Sequence, residues 1–305
     1  MRREKFNLGV VHYVSFPEII TGYGPIVSTL EEILKVDQAQ VIEITWINDT
    51  EQRSAVRAVL HSWDGVVVYS GAPVLAMSQM SLCSLNEELR MDSVNTAKRI
   101  IDDACYFGAR SVVLISGSDP GREKRHEARA FLGESLVDLV HYAKRMNDQL
   151  MVTLEPADRD IHRRQLIGPI SEAVSIVRAV RKHAPNFGLT IDMSHLAQLG
   201  EDKAKALSRA RGYFHHVHIA NAIVRNRDNP RFGDEHPRFG IEEGEHDLES
   251  IVEFLRGLNR ISFFQEKADH EKPIISIEVK PEKGEDPSSL MSKSIDTFLE
   301  ACLVA

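Results

Sequence analysis

Leu189-Thr190-Ile191-Asp192 decides how this chain is read. In a strand, alternate side chains share one face, so Leu189 and Ile191 point one way and Thr190 and Asp192 the other. Three further stretches repeat the pattern: Val152-Thr153-Leu154-Glu155, His216-Val217-His218 and Ser276-Ile277-Glu278. Each shows apolar residues on one side (Val152/Leu154, Val217/Ile219, Ile275/Ile277) and a polar pair on the other. Each ends in a side chain that binds hard divalent cations. A solvated sheet face produces this once or twice. Four occurrences, each with its ligand at the carboxyl end, point to strands converging on one site, as they do in an α/β protein of the (β/α)8 TIM barrel type.

The rest of the chain keeps the same rhythm. Strand-like runs are expected at Asn7–Val14, Gln40–Ile47, Gly65–Ser70, Ser111–Ser116, Leu150–Glu155, Gly188–Met193, Phe214–Ala220 and Pro273–Val279. Helical patterns lie between them at Pro25–Val36, Glu51–His61, Glu87–Phe107, Gly133–Asn147, Ile170–His183, Glu201–Arg211 and Asp247–Leu258. A last helix is expected over Pro287–Ala301, capped by Asp286 with Pro287 in its first turn. Strands alternating with helices favour parallel βαβ units. A doubly wound open sheet, the competing arrangement, places its site at a chain reversal instead. The 305 residues suit a single barrel domain over 1–305, since such barrels need about 250. Two long connections, 71–86 and 221–246, follow the third and seventh strands. Loops in that position overhang a barrel's active-site mouth.

Bulk properties narrow the function classes. A net charge of −8 argues against electrostatic nucleic-acid binding, which relies on Lys and Arg neutralising phosphates. No stretch approaches the roughly 20 apolar residues of a membrane span. The segment Met1-Arg2-Arg3-Glu4-Lys5 leads directly into a strand without a signal-like apolar run. Cys83, Cys105 and Cys302 are distant and odd in number, so reduced thiols are expected. Together these place the protein in the cytoplasm, with a small molecule rather than a nucleic acid or membrane as its partner.

Glu155, Asp192, His218 and Glu278 offer three carboxylates and an imidazole. Such a donor set suits Mn²⁺, Mg²⁺, Co²⁺ or Zn²⁺, with no thiolate to select a soft metal. Hydrogen-bonded polar residues at a barrel rim are the alternative, but neighbouring carboxylates repel unless a cation lies between them. Lys280 is the nearest counter-charge in sequence. Thr153, Thr190, His216 and Ser276 would lie one layer deeper, either orienting the ligands or filling a polar interior. His12 reads as a buried, satisfied histidine or as a residue of the mouth. Trp46 reads as a rim packing residue or a stacking surface for a sugar ring.

The motifs Thr153-Leu154-Glu155-Pro156, Asp192-Met193-Ser194-His195, His216-Val217-His218-Ile219-Ala220 and Glu278-Val279-Lys280-Pro281 resemble those of the xylose-isomerase-like TIM barrel superfamily, and most closely its sugar (phosphate) isomerase/epimerase branch. Gly233-Asp234-Glu235-His236-Pro237 and Gly244-Glu245-His246-Asp247 resemble its loop after strand seven, and Glu43 stands where many members keep an acid. The resemblance implies that Glu155, Asp192, His218 and Glu278 bind one divalent ion, with Mn²⁺ foremost. It implies that Glu155 and Glu278 move a proton beside a sugar carbonyl through a metal-stabilised enediolate. His195, Arg225, His236, Lys280 and Glu43 are then expected to contact or support the substrate. A homo-oligomer is expected, with a hetero-oligomer as the alternative. The chain departs from its relatives at Asn221, where many have an acid, and its arginine sits at 225, one position beyond theirs.

Three rival functions share these residues. The same enolisation can expel a group β to the carbonyl, as in keto-sugar lyases of the C-glycoside-cleaving type, some with a partner subunit. A repair endonuclease of the superfamily would need histidines on strands three and four, where this chain has Tyr69-Ser70-Gly71 and Ile115-Ser116-Gly117. A barrel that binds sugar without catalysis would not need two proton-transfer glutamates.

Overall fold

The computed structural model describes residues 3–265 and 272–305. Eight parallel strands close into a barrel in sequence order: β1 (Asn7–Val11), β2 (Val41–Ile44), β3 (Val66–Ser70), β4 (Ser111–Leu114), β5 (Met151–Leu154), β6 (Phe187–Asp192), β7 (Phe214–Ala220) and β8 (Ile274–Glu278), with β8 pairing back onto β1. The strands are rich in Val and Ile because both of their faces are covered, as parallel sheets require. The outward residues Val152, Leu154, Leu189, Ile191, Val217, Ile219, Ile275 and Ile277 are all at most 1% exposed, packed beneath the surrounding helices. Each such side chain contributes about 1.5–3 kcal/mol of burial.

The barrel interior is graded. Val41, Val68, Val113 and Ile274, on β2, β3, β4 and β8, form a separate apolar cluster. Thr153, Thr190, His216 and Ser276, two positions before Glu155, Asp192, His218 and Glu278, form a polar layer that pairs with itself. Thr153 and Thr190 hydroxyls lie 2.9 Å apart, and His216 Nε2 lies 2.9 Å from Ser276 Oγ. Of the two sequence readings of these residues, interior filling is the one their contacts match. Above them come the ionisable residues at the carboxyl ends.

The expected helices form, with shifted ends. Thr50–His61 is capped by Asp49, Leu248–Arg260 by Asp247 and Pro287–Val304 by Asp286, whose carboxylate accepts from Ser289 N at 2.7 Å. Three departures bear on the site. The chain leaves the barrel after Val11 rather than Val14, turning helical over His12–Ser15. The connection 71–86 is not irregular throughout: Ala72–Met77 is a short helix with Pro73 in its first turn and Val74 and Leu75 buried. The helix expected from Gly133 begins at Arg125, because Ala128 and Leu132, one turn apart, already pack inward. Met1 and Arg2 lie outside the described residues, and no described helix is long and apolar enough to cross a membrane. Cys83, Cys105 and Cys302 form no disulfide.

Candidate metal centre

Glu155, immediately after β5, Asp192 and Glu278, closing β6 and β8, and His218 within β7 each present a ligand atom within 4.8 Å of the other three. Strand register brings them together. Asp192 pairs with His218 between β6 and β7, and Ala220 with Glu278 between β7 and β8. His218 Nδ1 lies 2.9 Å from Glu278 Oε2 and 3.4 Å from Glu155 Oε1. All four residues are buried, at 1–7% exposure.

Three atoms that face this centre, Asp192 Oδ2, His218 Nδ1 and Glu278 Oε2, are buried without a hydrogen-bond partner. Native proteins seldom leave such atoms orphaned, because each loses about 1–3 kcal/mol of hydration. Carboxylates this close also repel by roughly 3–4 kcal/mol per pair at an effective dielectric of 20. A divalent cation removes both penalties, so the donor set fits such an ion. The surrounding contacts fit it as well. Asp192 spends Oδ1 on Ser194 N (2.6 Å), capping the helix Met193–Gln198, which leaves Oδ2 facing the centre. His218 Nε2 lies 3.0 Å from Glu43 Oε2. A carboxylate accepts only, so Nε2 carries the proton and Nδ1 keeps its lone pair, the usual second-sphere arrangement of a metal-binding histidine. With protein groups alone, burial disfavours a charge on His218, but Glu43 and Glu278 outweigh it and raise its pKa well above the usual histidine range. Burial likewise opposes ionisation of Glu278, and His236 and His218 override it, pulling its pKa down to about 2. At Asp192 burial prevails and lifts the carboxyl to about 6.

Two overlapping groups, Asp192/His195/His236 and Glu43/His216/His218, also bring ligand atoms together. Their donors are largely committed elsewhere. His195 Nδ1 meets the Pro156 carbonyl at 3.0 Å and Nε2 meets Asp234 Oδ1 at 2.8 Å. Both partners are acceptors, so the ring holds both protons. Burial opposes that charge, and the carboxylates of Asp192 and Asp234 overcome it, pushing the pKa up to about 10.

A cavity of about 130 Å³ opens over the four-residue centre. Its charged side comes from the later strands: Glu155, Arg163, His195, Asp234, His236 and Glu278, with Lys280 at the edge. His236 Nε2 stands 3.6 Å from Glu278 Oε1 and 3.4 Å from Asp234 Oδ1. Its backbone has a φ of 44°, in the left-handed region, and its carbonyl is held by Lys280 N at 2.8 Å. Lys280 Nζ is paired with Glu235 at 2.5 Å. Gly233 opens this turn with a φ of 92°, and a side chain there would begin 2.9 Å from the His162 ring, which accepts from Asp234 N.

The structure relocates two of the residues expected at the substrate. Arg225 stands outside the cavity with its side chain 83% exposed, paired with Glu245. Arg231 and Arg238 of the same loop pair with Glu282. Glu43 has no accessible surface. It lies behind His218, accepting from Tyr13 OH at 3.3 Å, and so supports the imidazole and is not placed to touch a ligand. Arg163, which sequence reasoning missed, does reach the cavity. Its Nε donates to Asp234 Oδ2, and the Asp234 charge keeps the guanidinium firmly protonated. Buried Asp158 builds the loop that carries it, accepting from the backbone N–H groups of Ile161, His162 and Arg163 at 2.6–2.8 Å. That carboxylate four residues ahead of the His162-Arg163 pair was the one available signal.

His12 proves to be a satisfied core residue, with Nε2 2.8 Å from Thr29 Oγ1 and its pKa lowered to about 3 by burial. Trp46 packs at the rim and donates to the Ile20 carbonyl at 2.6 Å. Because the folded pKa of His12 is depressed, its stabilisation is present above the unfolded value and disappears as pH falls towards the folded one. His12→Gln should therefore flatten the loss of unfolding free energy between pH 7 and pH 4.5 by roughly 2–3 kcal/mol. Denaturant midpoints at the two pH values check this, and equal losses in both proteins would show that His12 is not buried neutral.

A family model described as xylose isomerase-like TIM barrel matches residues 40–298. Among solved structures, the chain is similar to a D-tagatose 3-epimerase-like protein at 20% identity, covering 98% of this chain and 100% of that one with a TM-score of 0.71. It is similar to an L-ribulose 3-epimerase at 15% identity, covering 98% and 96% with a TM-score of 0.70. It is similar to the IOLI protein with a bound zinc atom at 15% identity, covering 98% and 97% with a TM-score of 0.68. At these identities the likeness carries the fold. No curated protein sequence matches.

Proposed function

The chain belongs to the xylose isomerase-like TIM barrel family, and we propose that it is a divalent-metal-dependent sugar isomerase or epimerase. The observation that carries the reading is the convergence of Glu155, Asp192, His218 and Glu278 with three buried ligand atoms left unpartnered at their common centre. The structural neighbours that are sugar epimerases support the substrate class, and the zinc-bound neighbour supports the ion. Mn²⁺ is the foremost candidate, with Mg²⁺, Co²⁺ and Zn²⁺ compatible with the same donors.

Glu155, Asp192, His218 and Glu278 would hold the ion. When bound, it supplies positive charge beside the substrate oxygens on which negative charge develops as a C–H proton leaves. The protein's own groups do the rest. Glu155 and Glu278 line the cavity, and one takes the proton while the other returns it, on the same or the opposite face. A bound cation weakens a carboxylate as a base, so each glutamate needs a second oxygen for the proton. Glu278 Oε1, turned towards His236 rather than the centre, is so placed. His236 orients substrate hydroxyls, while His195, both of whose N–H groups are spent on Pro156 and Asp234, supports the wall with a fixed positive charge. The connections 71–86 and 221–246 form the active-site mouth. Incubation with a panel of ketoses in D₂O tests the reading. Deuterium entering a carbon next to the carbonyl, in a metal-dependent manner, is expected, and no exchange into any ketose or keto-sugar would overturn it.

Arg163 takes the substrate-binding role first given to Arg225. Its guanidinium is held at Nε by Asp234, leaving the terminal nitrogens to meet a hydroxyl or carbonyl oxygen. Arg163→Gln should raise KM about 10-fold with a smaller change in kcat, since such a contact is made in ground and transition states alike. An unchanged KM would remove Arg163 from the substrate's surroundings.

A further inference from the structure

Asp234 joins the connections that follow β5, β6 and β7. Its side chain has no accessible surface, and its carboxylate accepts from groups on each of them. Oδ2 accepts from Arg163 Nε, on the connection after β5. Oδ1 accepts from His195 Nε2 at 2.8 Å and Gln198 Nε2 at 3.1 Å, both on the helix Met193–Gln198 after β6. It also stands 3.4 Å from His236 Nε2, in its own turn after β7. Burial opposes a charge at Asp234, but Arg163, His236 and His195 override it and hold the carboxyl well below the usual carboxylate range. Because the side chain has no surface open to the cavity, its effect on a ligand passes through the groups it holds.

Arg163 depends on it most. Asp158 sets the Arg163 backbone, but the guanidinium has no hydrogen-bond partner other than Asp234 among the described residues. With its side chain 38% exposed, Arg163 would sample many rotamers unless one contact selected among them. The backbone reinforces that contact. Asp234 N donates to His162 Nδ1 at 3.2 Å, next to Arg163 in the chain. Gly233, at a φ of 92°, approaches the same ring so closely that a Cβ would lie 2.9 Å from Nδ1. Two bonds in opposite senses therefore clasp the connection after β5 to the turn after β7. Resting on the sugar reading above, we propose that Asp234 is a positioning residue, which fixes the Arg163 guanidinium in the cavity wall before a substrate arrives. A binding group ordered in advance loses less freedom when the ligand comes, so the benefit falls on substrate binding.

Asp234→Asn isolates this role, because Asn keeps Oδ1 for His195 and Gln198 but sets an amide N–H group against Arg163 Nε. In ¹⁵N-arginine-labelled protein with Mg²⁺, the Nε–H signal that Arg163→Gln removes belongs to Arg163. It should exchange slowly with water in the parent and at least about 10-fold faster in Asp234→Asn, the loss of one hydrogen bond. Gly233→Ala keeps every charge but forces the turn off His162, so it should speed the same exchange and serves if Asp234→Asn does not fold. Kinetics are then read on whichever of D-fructose, D-psicose, D-tagatose and D-sorbose turns over fastest. KM should rise about 10-fold in Asp234→Asn, as in Arg163→Gln, with kcat changing less. The double variant should match Arg163→Gln within about twofold, since a residue acting through another adds nothing once that other is gone. Arg163 exchange unmoved in both Asp234→Asn and Gly233→Ala, or KM increases that multiply in the double variant, overturn the proposal. If the exchange responds as expected while no ketose turns over, the clasp stands and the sugar reading falls.

Discussion

Glu278→Gln should lower turnover by at least about 1,000-fold, the scale on which general acid–base groups contribute, while leaving the fold intact. Gln keeps the shape of the side chain but cannot carry a proton, and it offers the ion a weaker ligand. The substitution also removes a carboxylate whose charge His236 and His218 stabilise, so the metal-free variant should melt somewhat lower than the parent while still unfolding cooperatively. Glu155→Gln is expected to behave alike, because its carboxylate sits at the same centre, 3.4 Å from His218 Nδ1. Steady-state rates, deuterium exchange and thermal melts of both variants provide the measurement. Full activity in either one would take that glutamate out of the mechanism.

The second large effect concerns the ion. Chelation should abolish turnover, and added Mn²⁺ should restore it. Asp192→Asn removes a charged ligand atom while keeping the Ser194 cap acceptor, so it should not be rescued by Mn²⁺ at concentrations that saturate the parent. Glu43→Gln should weaken binding more gently, by about 10- to 100-fold, because Glu43 acts through the His218 ring instead of touching the ion. A graded order of parent, Glu43→Gln and Asp192→Asn is the expected signature. Equal metal dependence in all three would contradict the assigned roles. Because protons compete with the ion for His218 Nδ1 and the carboxylates, ion uptake should also release protons.

The four central residues were legible because two regularities coincide in them. Strand periodicity places each on the inward face, and chain position places each at a carboxyl end. Glu43 carried the first signal but not the second. It lies in register with Val11 and Val68 and meets the far side of the His218 ring, because strand stagger around a closed barrel decides which inward residues reach the cavity and no local pattern encodes it. Arg163 was hidden for a different reason. Irregular loops have no period, and its position depends on three backbone bonds to Asp158 and on contact with Asp234, 71 residues away. The charged run containing Arg225 drew attention by composition alone, and composition does not distinguish an arginine over a cavity from one in solvent.

Titrating the metal-free protein with Mn²⁺ by calorimetry, alongside Asp192→Asn, reaches the foundation most directly. One site per chain in the parent, with a matching rise in melting temperature and no binding by the variant, is the predicted result. No uptake by the parent at millimolar Mn²⁺, Co²⁺ or Zn²⁺, or undiminished uptake by Asp192→Asn, would contradict a cation held among Glu155, Asp192, His218 and Glu278.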